Sequence, residues 1–247
     1  MATDPSSRPS FRITHEASAS ERLVAGFSSF GLAGLTAVDF LVDQLELEET
    51  GYITTEALPS MTPFENGTPR HHTRLFSRPD LDLTLLVSEL FVPLWAADPF
   101  AKSILDWTES NRIEEITILS GVPLPHGPTD HRVFYVATED YQDEQLAASD
   151  ITAMGTGFLD GVNASVVGRG MDTDLRVGVF ITPVHPRVPD VEAALRLLVA
   201  VEQLYDIEVD TTALEQFAGE IEQYYRDLEE RLQAVDQSEI HEDRMYM

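Results

Sequence analysis

The chain has 247 residues and carries 43 Asp and Glu against 16 Lys and Arg, a formal charge of −27, with Lys102 as its one lysine. Such a balance leaves no basic stripe to neutralise phosphates, which excludes nucleic acid as a partner and disfavours an anionic membrane surface. There is no cysteine, so disulfides, thiol catalysis and thiolate metal sites are excluded as well.

An acidic surface whose bases are almost all Arg suits a cytoplasm of very high salt, where the Debye length falls to about 3 Å at 1 M and self-repulsion is screened. A halophilic archaeal source is therefore expected. The N-terminus lacks a basic stretch followed by an apolar one, and no apolar run approaches about 18 residues, so a cytoplasmic protein is expected.

In chain order, residues 1–20 are rich in Ser, Thr, Ala and Pro and read as a mobile arm, with a short extended piece at Phe11–Thr14. The fold is expected to begin near Glu21. Arg22-Leu23-Val24-Ala25 reads as a short buried strand. Gly26-Phe27-Ser28-Ser29-Phe30-Gly31 then turns the chain into a helix carrying Leu32, Leu35, Val38, Phe40, Leu41, Val42 and Leu45. Further strands are predicted at Thr50–Thr55, Leu81–Val87, Glu115–Leu119, Val133–Ala137 and Leu175–Ile181.

Between them, Asp98-Pro99 marks the start of a helix reaching Glu109, and Gly161–Gly168 forms a short one. Ser60–Pro79, rich in Pro, Thr, His and Arg, reads as a long loop or irregular hairpin. Pro189-Asp190 starts a helix with Val191, Ala194, Leu195, Leu198 and Val201 on one face. A second helix, opened by a capping box from Thr212 to Glu215, carries an apolar stripe as far as Val235. The two are expected to pair as a helical hairpin. Continuous apolar strands alternating with helices predict an α/β fold with a parallel or mixed sheet covered on both faces. The α/β domain is thus expected over residues 21–235, including the C-terminal helices over 190–235.

Gly26, Gly31 and Gly34 follow a strand and open a helix. The spacing fits a tight turn with close helix packing before it fits a phosphate cradle, since it matches neither a dinucleotide fingerprint nor a P-loop. Gly155–Gly161 likewise reads as a turn against neighbouring backbone. His71-His72, His126 and Asp130-His131 lie in loops at irregular spacing, His185 and Ser120 lack the sequence neighbours of a triad, and no metal, cofactor or catalytic constellation is expected.

After Val235 the apolar period stops. Asp236–Arg244 is an acidic tether of about nine residues, with a reach of roughly 30 Å if extended. It ends in Met245-Tyr246-Met247, where a ring, a hydroxyl and a terminal carboxylate combine into a plug for a pocket. Residues 236–247 are thus expected to be a docking tail, with Met245, Tyr246 and Met247 as its contact residues.

Gly26-Phe27 through Gly31-Leu32-Ala33-Gly34, Ile116–Val122, Gly155–Gly161 and the Leu-rich C-terminal helices together resemble the archaeal members of the proteasome assembly chaperone family, from about Arg22 to Leu232. The first motif carries Ser28-Ser29-Phe30 where a Pro-Gly element is frequent in that family. The resemblance implies a nucleoside-phosphorylase-like fold, a homo-oligomer, and binding to the α-subunits of the proteasome core particle rather than catalysis. It also implies that hydrophobic-Tyr-any is the signature by which activators enter α-ring pockets. Two expectations compete with this: a small-molecule-binding α/β enzyme on the same fold, with Gly26, Phe27, Gly31 and Gly34 and the Ser60–Pro79 loop lining its pocket, and a pure assembly scaffold that binds α-subunits through its body.

Overall fold

The computed structural model describes residues 10–56, 58–124, 127, 130–185 and 189–221. They divide between a unit ending at Val209 and a second unit starting at Asp210. The first is built on a nine-stranded mixed sheet of order β1-β3-β6-β7-β2-β8-β11-β9-β10. In chain order the strands are β1 (Phe11–His15), β2 (Arg22–Phe27), β3 (Glu48–Thr55), β6 (Thr73–Ser77), β7 (Thr84–Ser88), β8 (Glu115–Val122), β9 (Phe134–Ala137), β10 (Thr152–Ala153) and β11 (Arg176–Pro183). A small hairpin of β4 (Phe64–Glu65) and β5 (Thr68–Pro69) stands apart.

The central strands β7, β2, β8 and β11 run parallel, and the outer strands β6 and β9 join them antiparallel. Leu23-Val24-Ala25 and Val177–Ile181 are buried throughout, as expected where helices cover both faces of a sheet. On one face lie α1 (Ala33–Gln44) and α5 (Val191–Tyr205), and on the other α2 (Leu94–Asn111) and α4 (Gly161–Gly170). A short α3 (Glu139–Tyr141) runs into a π-helical turn, Gln142–Leu146.

Four differences from the sequence reading have physical causes. The extended piece near Phe11 is strand β1, paired with β3 from Phe11↔Thr55 to His15↔Gly51, so the sheet begins well before Glu21. Phe11 supplies the anchor, its ring edge-on to Phe100 of α2. Within Ser60–Pro79 lies β6, buried along its whole length; Arg74, its second residue, disguised it as loop, and that guanidinium is held by Asp39 and Glu89. Helix α2 starts at Leu94, so Pro99 sits inside it rather than opening it. The C-terminal helix begins at residue 212, with the Asp210 carboxylate accepting from the Thr212 N–H and the Thr211 hydroxyl donating to Glu215, one residue earlier than the expected box. The helical stripe beyond Ile221 lies outside the described residues.

At the N-terminal edge of the parallel strands, Arg22, Glu115 and Arg176 share one register line across β2, β8 and β11. Glu115 is fully buried and accepts a hydrogen bond of 2.9 Å from the Tyr205 hydroxyl, which is also 2.6 Å from Thr117 Oγ1; that oxygen lies 2.6 Å from the Tyr141 hydroxyl. Because Tyr205 gives its proton to the carboxylate, Thr117 must donate to Tyr205 and accept from Tyr141, which orders all three hydroxyls. The chain ties α5 and α3 to the central strand. Tyr141 fits because Gly178 has no side chain: a Cβ there would lie 2.6 Å from its ring.

Burial pushes the Glu115 carboxyl above its usual range, against the pull of the Tyr205 hydrogen bond, Arg22 and Arg176. A carboxyl whose pKa is raised by folding adds stability that is complete below its unfolded value, roughly pH 4.5, and lost as pH climbs through the raised one. Glu115→Gln, which can still accept from Tyr205, should therefore match the parent below that window and be at least as stable at pH 7. Urea unfolding at several pH values checks this, and a variant that loses stability only at neutral pH would contradict it.

Candidate functional site

The four parallel strands end at one edge, where the chain leaves β2 through Ser28-Ser29, β7 through Leu90–Pro93 and β8 through Pro123. Helices α1, α2, α4 and α5 present their N-termini to the same edge. Open sheets place ligands in such a crevice, outside the carboxyl ends of the strands. Here it is a groove of two adjoining lobes, with volumes of about 590 Å³ and 530 Å³. The first lies among Phe27, Ser29, Phe30, Phe91, Leu94 and Val162; the second among Val122, Tyr135, Met154, Phe158, Leu159 and Ile181. Phe30, Ser120, Gly121, Asp160 and Asn163 border both.

Two contacts shape the floor. Gly34 of α1 lies directly over β8, where a Cβ would sit 1.9 Å from the Leu119 carbonyl oxygen; a Cβ on Gly26 would lie 2.4 Å from Gly34 O. The helix can therefore reach the sheet backbone at this point only as glycine. Gly31 takes φ +66 in the turn before α1, and its carbonyl accepts the Asp190 N–H at 2.7 Å, which pins the start of α5 to the loop after β2. The Asp190 carboxylate caps α5 through Ala193 N–H at 2.9 Å and accepts from the backbone and ring of His185 at 2.9 and 3.0 Å. Burial pushes its pKa up, but these hydrogen bonds and nearby Arg196 outweigh burial and hold it below the ordinary value.

The polar lining is sparse. Asn163 Nδ2 donates to Ser120 Oγ at 3.1 Å, so Ser120 faces an amide instead of a base able to take its proton. Asp160 stands at the N-cap of α4 without using its side chain as a cap. Ser29 Oγ is buried with no partner among the described residues. No Lys, Arg or His among the described residues lines either lobe. The arrangement is suited to holding an apolar group beside a hydrogen-bond donor or a cation, and no basic side chain among the described residues stands in it to pair with an anion.

Of the residues singled out from sequence, Phe27 and Gly31 line the first lobe, whereas Gly26 and Gly34 make the helix-to-sheet contact beneath it. Met245, Tyr246 and Met247 lie outside the described residues, as does His126. His71 stacks on Tyr52 with ring centroids 3.7 Å apart, and His72 Nδ1 is 2.9 Å from Thr73 Oγ1. Gly155 and Gly157 have no neighbour within reach of a Cβ, so that segment is the open wall of the second lobe and not a turn packed on backbone. Phe91, Leu94, Asp160 and Asn163 were missed. The signal available was the apolar run Phe91-Val92-Pro93-Leu94-Trp95 directly after a predicted strand, where a solvated loop would be polar.

The PAC2 family profile matches residues 23–229. The chain belongs to the PAC2 family. No curated protein matches it. Among solved structures it is similar to Pyrococcus furiosus PbaA, an archaeal homolog of proteasome-assembly chaperone, with 19% identity over 98% of this chain and 100% of that one and a TM-score of 0.80. It is also similar to P. furiosus PbaB, an archaeal proteasome activator, with 20% identity, 89% and 99% coverage and a TM-score of 0.75. A Thermoplasma acidophilum protein of unknown function shares 19% identity over 91% of each chain, with a TM-score of 0.73. At these identities the likeness establishes the fold: a large mixed sheet flanked by helices, as this PAC2 member shows. Among the described residues no helix is long and apolar enough to cross a membrane, and no group of three or more His, Asp or Glu is placed to hold a metal ion.

Proposed function

We propose that this PAC2 protein is a proteasome assembly chaperone or ATP-independent activator that acts by binding, docking its C-terminal tail into the α-ring of the core particle. The observation that carries the reading is the PAC2 match over residues 23–229, to which the fold likeness to PbaB over 89% of this chain adds support. An oligomer displays several tethers, and each inserts Tyr246 and the terminal carboxylate of Met247 between α-subunits in the cytoplasm of a halophile. Three residues bind weakly on their own, but tethered copies raise avidity by about 10²–10⁴ over one site. At high salt the long-range pull of the carboxylate is screened, so the Tyr ring and Met side chains supply most of the hold.

The test is peptide hydrolysis by the cognate core particle in molar KCl. The full chain should stimulate it. Tyr246→Ala should abolish stimulation, with docking at least about 100-fold weaker, while the melting temperature and oligomer size stay unchanged. Equal stimulation by Tyr246→Ala would remove the tail from the account. If the full chain neither stimulates hydrolysis nor speeds assembly of core-particle subunits, the proteasome role falls.

A further inference from the structure

The two-lobed groove at the carboxyl ends of β7, β2, β8 and β11 has the character of a protein interface, and nothing in a tail-docking role uses it. Its rim carries large apolar side chains in the open: Phe91 and Leu94 are each 70% exposed, Phe30 is 57% exposed and Phe158 is fully exposed. Contiguous exposed apolar rims around a cleft mark interaction sites, and aromatic anchors dominate their energetics. Each lobe has room for one large side chain with space for the backbone that carries it.

We infer that this groove docks an extended segment of a partner protein that places two large apolar side chains in the lobes and an Arg or Lys against Asp160. Charge complementarity selects that occupant. Asp160 borders both lobes, its carboxylate is not spent on capping α4, and no basic side chain among the described residues lines the groove. An acidic segment would bring a second carboxylate to Asp160 with nothing to neutralise it. Ser29 Oγ, buried and unpartnered among the described residues, and the Asn163 amide offer the segment's backbone its hydrogen bonds. The proposal stands apart from the tail, since every residue lining the groove lies between Phe27 and Pro189.

The probe is a fluorescein-labelled peptide of about ten residues carrying Trp and Leu flanked by Arg, with a twin in which Glu replaces each Arg. Anisotropy is read against the full-length protein at the lowest KCl that keeps it folded. The Arg peptide should saturate and bind at least about tenfold tighter than its twin, a difference that Asp160→Asn narrows. Phe91→Asp and Leu94→Asp, both at exposed positions, should weaken the Arg peptide at least about tenfold with unchanged melting temperatures. Phe64→Asp, an exposed aromatic on the separate hairpin, should leave it unaffected. Equal binding of the two peptides, binding that survives both rim substitutions, or no binding overturns the inference. So does an oligomer of the parent that Phe91→Asp dissociates, which would assign the groove to a second copy.

Discussion

Gly34→Ala should be among the most damaging single-methyl substitutions in this protein. The added Cβ would lie 1.9 Å from the Leu119 carbonyl oxygen and 2.5 Å from its carbon, both of them backbone atoms in the middle of β8. No rotamer change relieves such a clash; either α1 lifts from the sheet or β8 bends, and α1 also packs on β2, β7 and α5. Overpacking a core typically costs 1–3 kcal/mol, and a contact with rigid backbone on both sides belongs at or above the upper end, about 3–5 kcal/mol. For a chain of this size that is a fall in melting temperature of roughly 10 °C or more. Gly168→Ala in α4 is the control: a Cβ there meets nothing within 4 Å, and the gain in helix propensity should stabilise by about 0.5–1 kcal/mol. Similar melting shifts for the two variants would refute the close-approach account. The same experiment tests the geometry of the groove, since lifting α1 moves Gly31 and Phe30.

Arg74→Ala is the second large effect. The Arg74 side chain is 7% exposed and lies 3.4 Å from Asp39 and 3.6 Å from Glu89, which also pairs with Arg70 at 3.0 Å. Burial pushes the Asp39 carboxyl upward, and Arg74 is the nearest counterweight. Removing the cation leaves two carboxylates facing each other and empties the space over the Phe76 ring, 4.9 Å from the guanidinium carbon. Breaking a buried pair costs 3–5 kcal/mol; since the Asp39 side chain is 48% exposed, solvent takes up part of that, and a loss of about 2–3 kcal/mol is expected. The deficit should be largest at neutral pH and shrink in acid, because protonating Asp39 removes the repulsion that Arg74 had balanced. Urea titrations of parent and variant at pH 7 and near pH 4.5 measure both parts. A loss that does not change with pH would mean that packing on Phe76, and not charge, was what Arg74 supplied.

How much of this was legible in advance depended on whether a segment's neighbours were in its own sequence. Strands β2, β7, β8 and β11 and helix α5 could be read because an apolar run between breakers is sufficient for each, β3 because Tyr52-Ile53-Thr54-Thr55 is β-branched and aromatic, and the Asp190 cap of α5 is a local hydrogen bond. Strand β6 was not legible. Thr73-Arg74-Leu75-Phe76-Ser77 becomes a buried strand only because Asp39 and Glu89 arrive from α1 and the end of β7 to neutralise Arg74. Helix α2 was read as starting four residues late because Asp98-Pro99 looks like a start signal, whereas the helix is entered from Pro93 through the apolar run after β7.

The candidate site divides along the same line. The sequence alone determined the acidic, cysteine-free, Arg-for-Lys character of the chain, its α/β pattern, and the glycines at the turn after β2, because composition, period and turn chemistry are local properties. It also carried, through motifs spread from Arg22 to Leu232, the resemblance to the family whose profile matches residues 23–229. The tertiary structure alone decided that Gly26 and Gly34 serve packing while Phe27 and Gly31 face a groove, since which side of a turn is wall and which is floor depends on where β8 lies. It alone brought Phe30, Phe91 and Asp160, each separated in sequence by about sixty residues or more, to one edge. The four central strands run parallel, so every crossover helix must start at the edge where the strands end, and loops from distant parts of the chain meet there.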